Sequence, residues 1–194
     1  MPELISPPPA PGEDASVALA LVNTEVEPRG VPVDLLADAR TLAGWLRARG
    51  LTSRRRVTVT DEDLQHMRLL RTAVRTAFMA RAAGRRPPRV AMAAINESAA
   101  LVASTPRLCW IDGGPVRQIV WATGVAATDE AFARIAVNAI STLIGDRADR
   151  LRLCEAHGCN RMFIAEHRRR RWCSRTCGDR VRVARHHRKR SRSA

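Results

Sequence analysis

The chain has 194 residues, with 33 Lys and Arg against 19 Asp and Glu, a formal net charge of +14 and an isoelectric point near 11.5. An apolar fraction of 45% is enough for a folded core, which excludes a disordered, collagen-like or coiled-coil protein. No apolar run reaches the roughly 18 residues of a membrane-spanning helix, and the first residues show no signal-peptide pattern, so we expect a cytoplasmic protein without a membrane partner.

The positive charge is concentrated at one end of the chain. Residues 1–146 contain 17 basic and 15 acidic side chains, a net +2, whereas residues 147–194 contain 16 basic and 4 acidic side chains, a net +12. The second segment also contains four of the five cysteines. The sequence therefore predicts a nearly neutral body at residues 15–146, a basic module at 150–190 and a disordered tail at 191–194.

The beginning of the chain predicts a leader followed by two helices. Residues 1–14 are rich in proline, which favours a flexible, extended leader with too little apolar surface to fold. From Ala15 a continuous apolar run predicts a short buried helix, although a strand of this length fits the same pattern. A second helix is expected over Pro32–Arg49, since leucines and Trp45 recur at helical spacing before Gly50.

Two more helices are expected in the middle of the body. Thr60 can cap the free amides of a helix whose first turn holds three acids, and this helix should extend to about Ala83. Its arginines are interpreted as a solvated face: Arg68, Arg71, Arg75 and Arg81. After two prolines, an alanine-rich helix is expected from about Arg89 to Ser104.

A β-hairpin and a last body helix are expected before the basic module. Two β-favouring runs flank Gly113-Gly114 near residues 107–122, which is a good short-range signal of a hairpin. The hairpin should lie against the helices, because an isolated hairpin is marginally stable in water. A helix over Thr128–Ile144 follows. The predicted fold class is therefore mostly α with one β-hairpin, that is, α+β.

Four cysteines in the basic module follow the pattern C-x4-C-x13-C-x3-C, at Cys154, Cys159, Cys173 and Cys177. Two close pairs a dozen or so residues apart, in a chain without a secretion signal, favour a metal site over disulfides or free thiols. Four thiolates about 2.3 Å from one Zn²⁺ complete a closed tetrahedron. A knuckle at the first pair, a hairpin, and a helix capped by Ser174 at the second pair are similar to a treble clef. The sequence therefore predicts one structural Zn²⁺ in a treble-clef-like module followed by a basic helix.

Two runs of cations accompany the metal site, one on the expected hairpin tip and one on the helix after Ser174. A charge run is often only a solvated face, but two runs placed by one zinc module favour contact with nucleic acid. The predicted nucleic-acid-binding residues are Arg168, Arg169, Arg170, Arg171, Arg180, Arg182, Arg185, Arg188, Lys189 and Arg190.

The sequence of the body contains no recognisable catalytic motif. It has no glycine-rich phosphate loop, no His and carboxylate pair at metal-ligand spacing and no nucleophile motif. We therefore expect no catalytic residues and no enzyme activity. For a ligand pocket the sequence offers only apolar helices, with Trp45, Trp110 and Trp121 as walls.

The segment Arg171-Trp172-Cys173-Ser174, followed by Cys177-Gly178-Asp179-Arg180, resembles the bacterial CGNR zinc-finger family. Upstream, Val17–Glu25, Asp34–Asp38 and Leu42–Leu46 resemble the ABATE domain that precedes that finger, so the match covers roughly residues 15–190. The resemblance implies a stress-induced transcriptional regulator, with an N-terminal domain suited to ligand sensing and a C-terminal zinc module that binds DNA. Asp179 stands where the family motif has Asn, which adds an anion beside the proposed DNA-contacting helix.

The leading hypothesis is a DNA-binding transcriptional regulator at the bacterial nucleoid, with double-stranded DNA as its partner. An RNA-binding or ribosome-associated zinc protein is the alternative, because the basic module suits RNA equally well. A small-molecule effector and a homodimer are left open as further partners. A zinc enzyme is disfavoured, since four thiolates leave no open position on the ion.

Overall fold

The computed structural model describes residues 8–27, 30–52, 57–111 and 113–190, with the backbone alone for 187–190. The helices in this part of the chain are α1 (Val17–Val22), α2 (Ala39–Ala48), α3 (Asp61–Ala82), α4 (Arg89–Ala100), α5 (Ala127–Ile144) and α6 (Arg175–Arg190). The strands form antiparallel pairs, which are β1 (Glu25–Val26) with β2 (Val33–Asp34), β3 (Ser104–Ile111) with β4 (Gly114–Trp121), and β5 (Leu151–Leu153) with β6 (Met162–Ile164). The predicted α+β class is confirmed.

Helix α1 lies at the centre of the body. All of its residues except Val17 are buried, and it contacts both α3 and α5, as expected of a helix that is apolar on every side. The Ser16 hydroxyl accepts the Leu19 N–H and donates to Asn138 Oδ1 at 2.9 Å, which satisfies the first turn from outside the helix. The predicted short buried helix is thus present. No helix within the described ranges is long and apolar enough to span a membrane.

The second helix begins later than the sequence predicts. Its expected range is Pro32–Arg49, whereas α2 begins at Ala39. The Asp38 carboxylate accepts the Thr41 N–H at 2.7 Å, and the Thr41 hydroxyl accepts the Asp38 N–H at 3.0 Å. This reciprocal cap fixes the start of the helix. The preceding residues form β2 and pair with β1 instead of continuing the helix.

The arginines of α3 do not form the predicted solvated face. Arg71 is only 5% exposed and holds both carboxylate oxygens of Asp34, at 2.6 and 2.7 Å. Arg75 donates to the carbonyl of Val22 at 2.6 Å and to the carbonyl of Asn160 at 2.9 Å. Helical periodicity identifies the faces of α3, but it does not show which long side chains turn back to neighbouring carbonyls. Through these bonds α3 holds both the β1–β2 ribbon and the segment that precedes β6.

The predicted β-hairpin is present, but it does not lie against the helices. Helix α4 ends at Ala100, earlier than predicted, because the chain enters β3 at Ser104. Strands β3 and β4 pair along their whole length around Gly113, whose φ of +120° suits the turn. Leu108 and Trp110 are each 78% exposed, and neither strand makes extensive contact with a helix. The hairpin therefore projects from the body, which corrects the expectation that burial would be needed to hold it.

Two prolines protect the edges of this hairpin. In the strand register Pro106 faces Ile119 and Pro115 faces Trp110. Because proline has no N–H, these pairs are not hydrogen-bonded pairs, and both proline nitrogens point away from the partner strand. Each outer edge therefore lacks one N–H donor, which disfavours pairing with a strand of another molecule.

The cysteine-containing module shares a hydrophobic core with the body. Leu151, Met162 and Ile164 belong to the same buried cluster as α1, α3 and α5. The backbone of Met162 donates to the Asn23 side chain at 2.9 Å and accepts from it at 2.8 Å. The module is thus docked on the body by apolar packing and by paired hydrogen bonds.

The proline-rich segment differs from the flexible leader that its composition predicts. Residues 1–7 lie outside the described residues, but residues 8–14 pack where the body meets the module. The Pro11 carbonyl accepts the Ile164 N–H at 2.8 Å. The Glu13 carboxylate, only 5% exposed, accepts from Arg161 at 2.8 Å. The composition of the segment could not indicate this arrangement, because the residues that bind it lie about 150 positions away along the chain.

Candidate metal centre and nucleic-acid interface

The four cysteines of the motif converge where the β5–β6 hairpin meets α6. Cys154 follows β5, Cys159 lies in the turn before β6, Cys173 precedes α6 and Cys177 lies in its first turn. Their Sγ atoms all lie within 4.8 Å of one another, and none of the four is in a disulfide. The Sγ–Sγ distance is 3.7 Å both for Cys159 with Cys173 and for Cys173 with Cys177.

This spacing fits a tetrahedral zinc ion. Four sulfurs that each lie about 2.3 Å from one Zn²⁺ are about 3.8 Å from one another. The observed 3.7 Å agrees with that edge and is far from the roughly 2.05 Å of a disulfide. The cluster therefore fits one structural Zn²⁺ with ligands Cys154, Cys159, Cys173 and Cys177, which confirms the predicted cofactor.

Hydrogen bonds distinguish the thiols from one another. Hydrogen bonds from the Cys159 and Cys173 thiols, together with the Cys173 N–H at 3.4 Å, lower the pKa of Cys154 to about 2. Because the other two thiols donate to Cys154, the pKa of Cys159 is raised to about 11 and the pKa of Cys173 is raised further. Metal binding would displace the protons shared among these thiols, because zinc binds the thiolate form.

The first turn of α6 is built against the metal ligands. The Ser174 hydroxyl accepts the Cys177 N–H at 3.2 Å, which is the predicted cap, and Arg180 donates to Cys177 Sγ at 3.4 Å. A Cβ on Gly178 would lie 3.1 Å from Cε3 of Trp172, closer than an ordinary van der Waals contact. Sequence reasoning missed the packing role of this glycine, whose only signal was its place in the family motif.

The structure divides the predicted nucleic-acid-binding residues into groups. Four of the arginines have partners inside the module: Arg170 with Glu166, Arg171 with Glu155, Arg180 with Cys177 and Arg182 with Asp179. Arg168, Arg169 and Arg185 are exposed, and their side chains make no hydrogen bond or ion pair with any described residue. The side chains of Arg188, Lys189 and Arg190 lie outside the described residues, as does the predicted tail at 191–194.

The first cationic run is not at a hairpin tip. Strand β6 pairs with β5, which precedes the first cysteine, and the run follows β6 in a turn closed by the Arg170 N–H and the His167 carbonyl at 3.0 Å. The hairpin was predicted within the segment between the two cysteine pairs, whereas β5, the partner strand of β6, lies before the first cysteine. The first residue of α6, Arg175, was missed as well. It is exposed, unpaired within the described chain and seven residues from Arg182, a spacing that places both on one helix face.

The three tryptophans expected to line a pocket lie in different elements and do not line the cleft that the structure contains. Trp45 packs on the core with the Arg49 guanidinium 5.8 Å from its ring centroid. Trp110 is exposed near the hairpin turn, and Trp121 lies at the hairpin base, with the Arg134 guanidinium 5.6 Å from its ring centroid. Six strand residues, about 20 Å, separate these two positions. A cleft of about 300 Å³ lies elsewhere, among α3, α4 and α5.

Comparison with known families matches both parts of the chain. Residues 15–147 match the ABATE family, described as "putative stress-induced transcription regulator". Residues 150–190 match the CGNR zinc finger. A search of curated proteins finds no match. The two matched ranges meet where α5 leads into β5, and the second range holds all four ligands of the metal centre.

Proposed function

Since the chain belongs to the ABATE family, we propose that it is a transcriptional regulator that binds double-stranded DNA through its zinc module. The observation that carries this proposal is a set of exposed arginines of the zinc module whose side chains have no partner among the described residues: Arg168, Arg169, Arg175 and Arg185. The ABATE domain would sense a small-molecule effector, and the protein would act in the cytoplasm at the nucleoid.

The metal centre would determine where these arginines lie. Zn²⁺ bound by the four cysteines would join the turn that carries Arg168 and Arg169 to α6. This helix begins at Arg175 and also carries Arg185. Helix α6 has 16 residues, a length of about 24 Å, and its width suits the major groove of B-DNA. Guanidinium groups donate strong, often paired hydrogen bonds to phosphate oxygens. Two cationic elements on one rigid centre could therefore contact the phosphates on either side of a groove.

We also propose that the zinc is structural and that the protein is not an enzyme. Four protein thiolates complete the tetrahedron, so the ion keeps no position for water or substrate. When bound, the ion would stabilise the folded state of a module that has only a small core of its own. In small zinc modules this contribution to the folding free energy is on the order of 10 kcal/mol.

The proposal is tested by the salt dependence of binding to duplex DNA. Each phosphate contact lowers the log–log slope of affinity against salt by about 0.9. The variant R168A/R169A/R185A is expected to lose about 2 to 3 units of this slope. The control R85A/R86A removes exposed arginines of the body and should leave the slope unchanged. A wild-type slope near zero would overturn the proposal, and tighter binding to structured RNA at matched salt would favour the RNA-binding alternative.

The motif departure at Asp179 gives a second test in the opposite direction. Asp179 pairs with Arg182 three residues further along α6 and so neutralises a cation of the proposed interface. The change Asp179→Asn is expected to tighten DNA binding by about three- to tenfold and to steepen the salt slope by about 1, because Arg182 becomes free for phosphate. Glu97→Gln on α4 removes the same charge from the body and serves as the control. Equal affinities for the two variants and the wild type would contradict the assignment.

A further inference from the structure

The cleft among α3, α4 and α5 has an apolar wall and an open mouth. Its volume of about 300 Å³ is at the lower end of the range for small-molecule sites. Its apolar lining consists mainly of Met92, Ile95, Ile140, Leu143 and Ile144. Ile95 forms a buried floor, whereas Ile144 is 80% exposed at the end of α5. An apolar concave surface with a few polar groups at its edge is the usual form of a small-molecule site.

A cation and an amide lie at the same cleft. Arg81 and Asn96 line it together with the apolar residues, and neither side chain has a hydrogen-bond or ion-pair partner among the described residues. Arg81 differs in this respect from the preceding arginines of α3. Arg68 donates to the Leu36 carbonyl at 2.9 Å, and both Arg71 and Arg75 are bonded inside the fold.

The surroundings of Arg81 reinforce its positive charge. The connection from α3 to α4 adds Arg85 and Arg86, and α4 begins with Arg89, all of them exposed and without an acidic partner in the described chain. Glu97, on α4, makes no ion pair with any of them. Pro87, in the same segment, lines the cleft, so these like charges lie near it in the chain and favour an anion there.

We propose that this cleft binds a small amphiphilic monocarboxylate, with its apolar part against α4 and α5 and its carboxylate on Arg81 and Asn96. The proposal rests on the sensing role given to the ABATE domain above and names its site and ligand class. A cleft of this volume holds roughly ten water-sized groups, so the ligand is a medium-chain or aromatic acid and not a long lipid.

The position of the cleft suits communication with the zinc module. Ile144 is the last residue of α5, and after Gly145 the chain passes through a short 3-10 helix at Ala148–Arg150 directly into β5 and Cys154. The other wall, α3, holds the first knuckle through the bond from Arg75 to the Asn160 carbonyl. A ligand in the cleft would therefore contact both elements that hold the metal centre.

The test uses the zinc-loaded full chain without DNA, titrated calorimetrically with decanoate below its micelle concentration and with decanol below its solubility limit. Decanoate is expected to bind at least about tenfold more tightly than decanol, because only the anion pairs with Arg81. Arg81→Met should reduce this preference to about twofold or less. Ile144→Gln should weaken both ligands, because it removes apolar contact from the wall of the cleft. Arg107→Met on the hairpin is the matched control for the loss of one exposed arginine.

Equal binding of decanoate and decanol to the wild type, or the same preference in Arg81→Met as in the wild type, would overturn this inference. So would unchanged binding to Ile144→Gln. The outcome is independent of the DNA-binding proposal, because no DNA is present. Loss of salt-dependent DNA binding with intact decanoate binding would refute only the proposed function, and the reverse result would refute only the ligand site.

Discussion

Single residues hold the body and the module by different means. In the module, the backbone of Gly178 packs so closely on the Trp172 ring that an added Cβ would lie only 3.1 Å from Cε3. In the body, the Asp34 carboxylate lies against Arg71 and Arg68, with N–O distances of 2.6 and 3.4 Å. Burial raises the pKa of Asp34, but the hydrogen bond and charge of Arg71 outweigh this effect and hold the pKa below its ordinary value. One residue is thus constrained by volume and the other by charge.

Replacing Gly178 by Ala is expected to weaken the zinc module. The added Cβ meets Cε3 of Trp172 at 3.1 Å, so the ring must shift by a few tenths of an ångström, at a cost of about 1 to 3 kcal/mol that outweighs the roughly 1 kcal/mol alanine gains over glycine in a helix. Because zinc affinity includes folding free energy, zinc should be released to a competing chelator about tenfold more readily. Gly44→Ala is the control, since it meets no atom within 4 Å and should stabilise α2 slightly. Equal zinc release from the two variants would contradict the packing role.

Replacing Asp34 by Asn is expected to lower the free energy of unfolding by about 2 kcal/mol at pH 7, because Arg71 loses its carboxylate partner. The stabilisation by Asp34 is complete above its ordinary pKa of 3.8 and is lost as the pH falls through the lower folded-state pKa. The gap between wild type and variant should therefore close below pH 3.8 in urea unfolding followed by circular dichroism. Asp14→Asn, at an exposed position, should change little at any pH. A gap that is constant with pH would disprove the role given to the charge.

At the scale of elements, local contacts were predictable from sequence and long-range placement was not. Thr60 marked the start of α3 because the cap and its partner lie three residues apart. The zinc ligands followed from their spacing, because one ion must draw both cysteine pairs together. By contrast, Leu108 and Trp110 alternate as they would in a buried sheet, yet both are exposed. The pairing of an arginine depends on where folding places the acidic side chains. Glu155, for example, pairs with Arg171 although the two residues are 16 positions apart.

The projecting hairpin is expected to be dispensable for folding. Replacing residues 105–120 by a two-residue Asn-Gly turn should shift the thermal midpoint by less than about 3 °C, because strands β3 and β4 contact mainly each other. The Ala122 N–H already donates to the Ala103 carbonyl at 2.9 Å, so the ends to be joined lie close together. Differential scanning calorimetry checks this expectation. A fall of 10 °C or more, beyond roughly 3 kcal/mol of stability, would show that the hairpin supports the body.

At the scale of the whole molecule, the ABATE domain and the zinc finger form one folded unit. They share an apolar core, and residues 8–14 bind the finger where it meets the body, through Pro11 and Glu13. The sequence correctly separated the chain by charge into two parts. It did not reveal that the parts are continuous in space, because Arg161 and Met162 give no sign in the sequence that their partners lie near the N-terminus.

Loss of zinc should therefore destabilise the body as well as the finger. Cys173→Ser is expected to lose the metal and to lower the single thermal midpoint by more than about 10 °C. Cys109→Ser changes the cysteine outside the cluster and should keep both the zinc content and the midpoint. Midpoints come from calorimetry and zinc content from atomic absorption. A variant that shows two transitions, one at the wild-type midpoint, would prove that the body folds independently.

The hydrogen bonds between Asn23 and Met162 join residues 139 positions apart. Asn23 leaves the ribosome early during synthesis, and its partner is added only after all of the body has been made. The same delay applies to Glu13 and Arg161, which are separated by 148 positions. The buried polar side chains beside α1 are therefore expected to stay in water until the finger emerges. Because the finger is expected to need its metal to fold, the earliest part of the chain should reach its final structure only after zinc has bound.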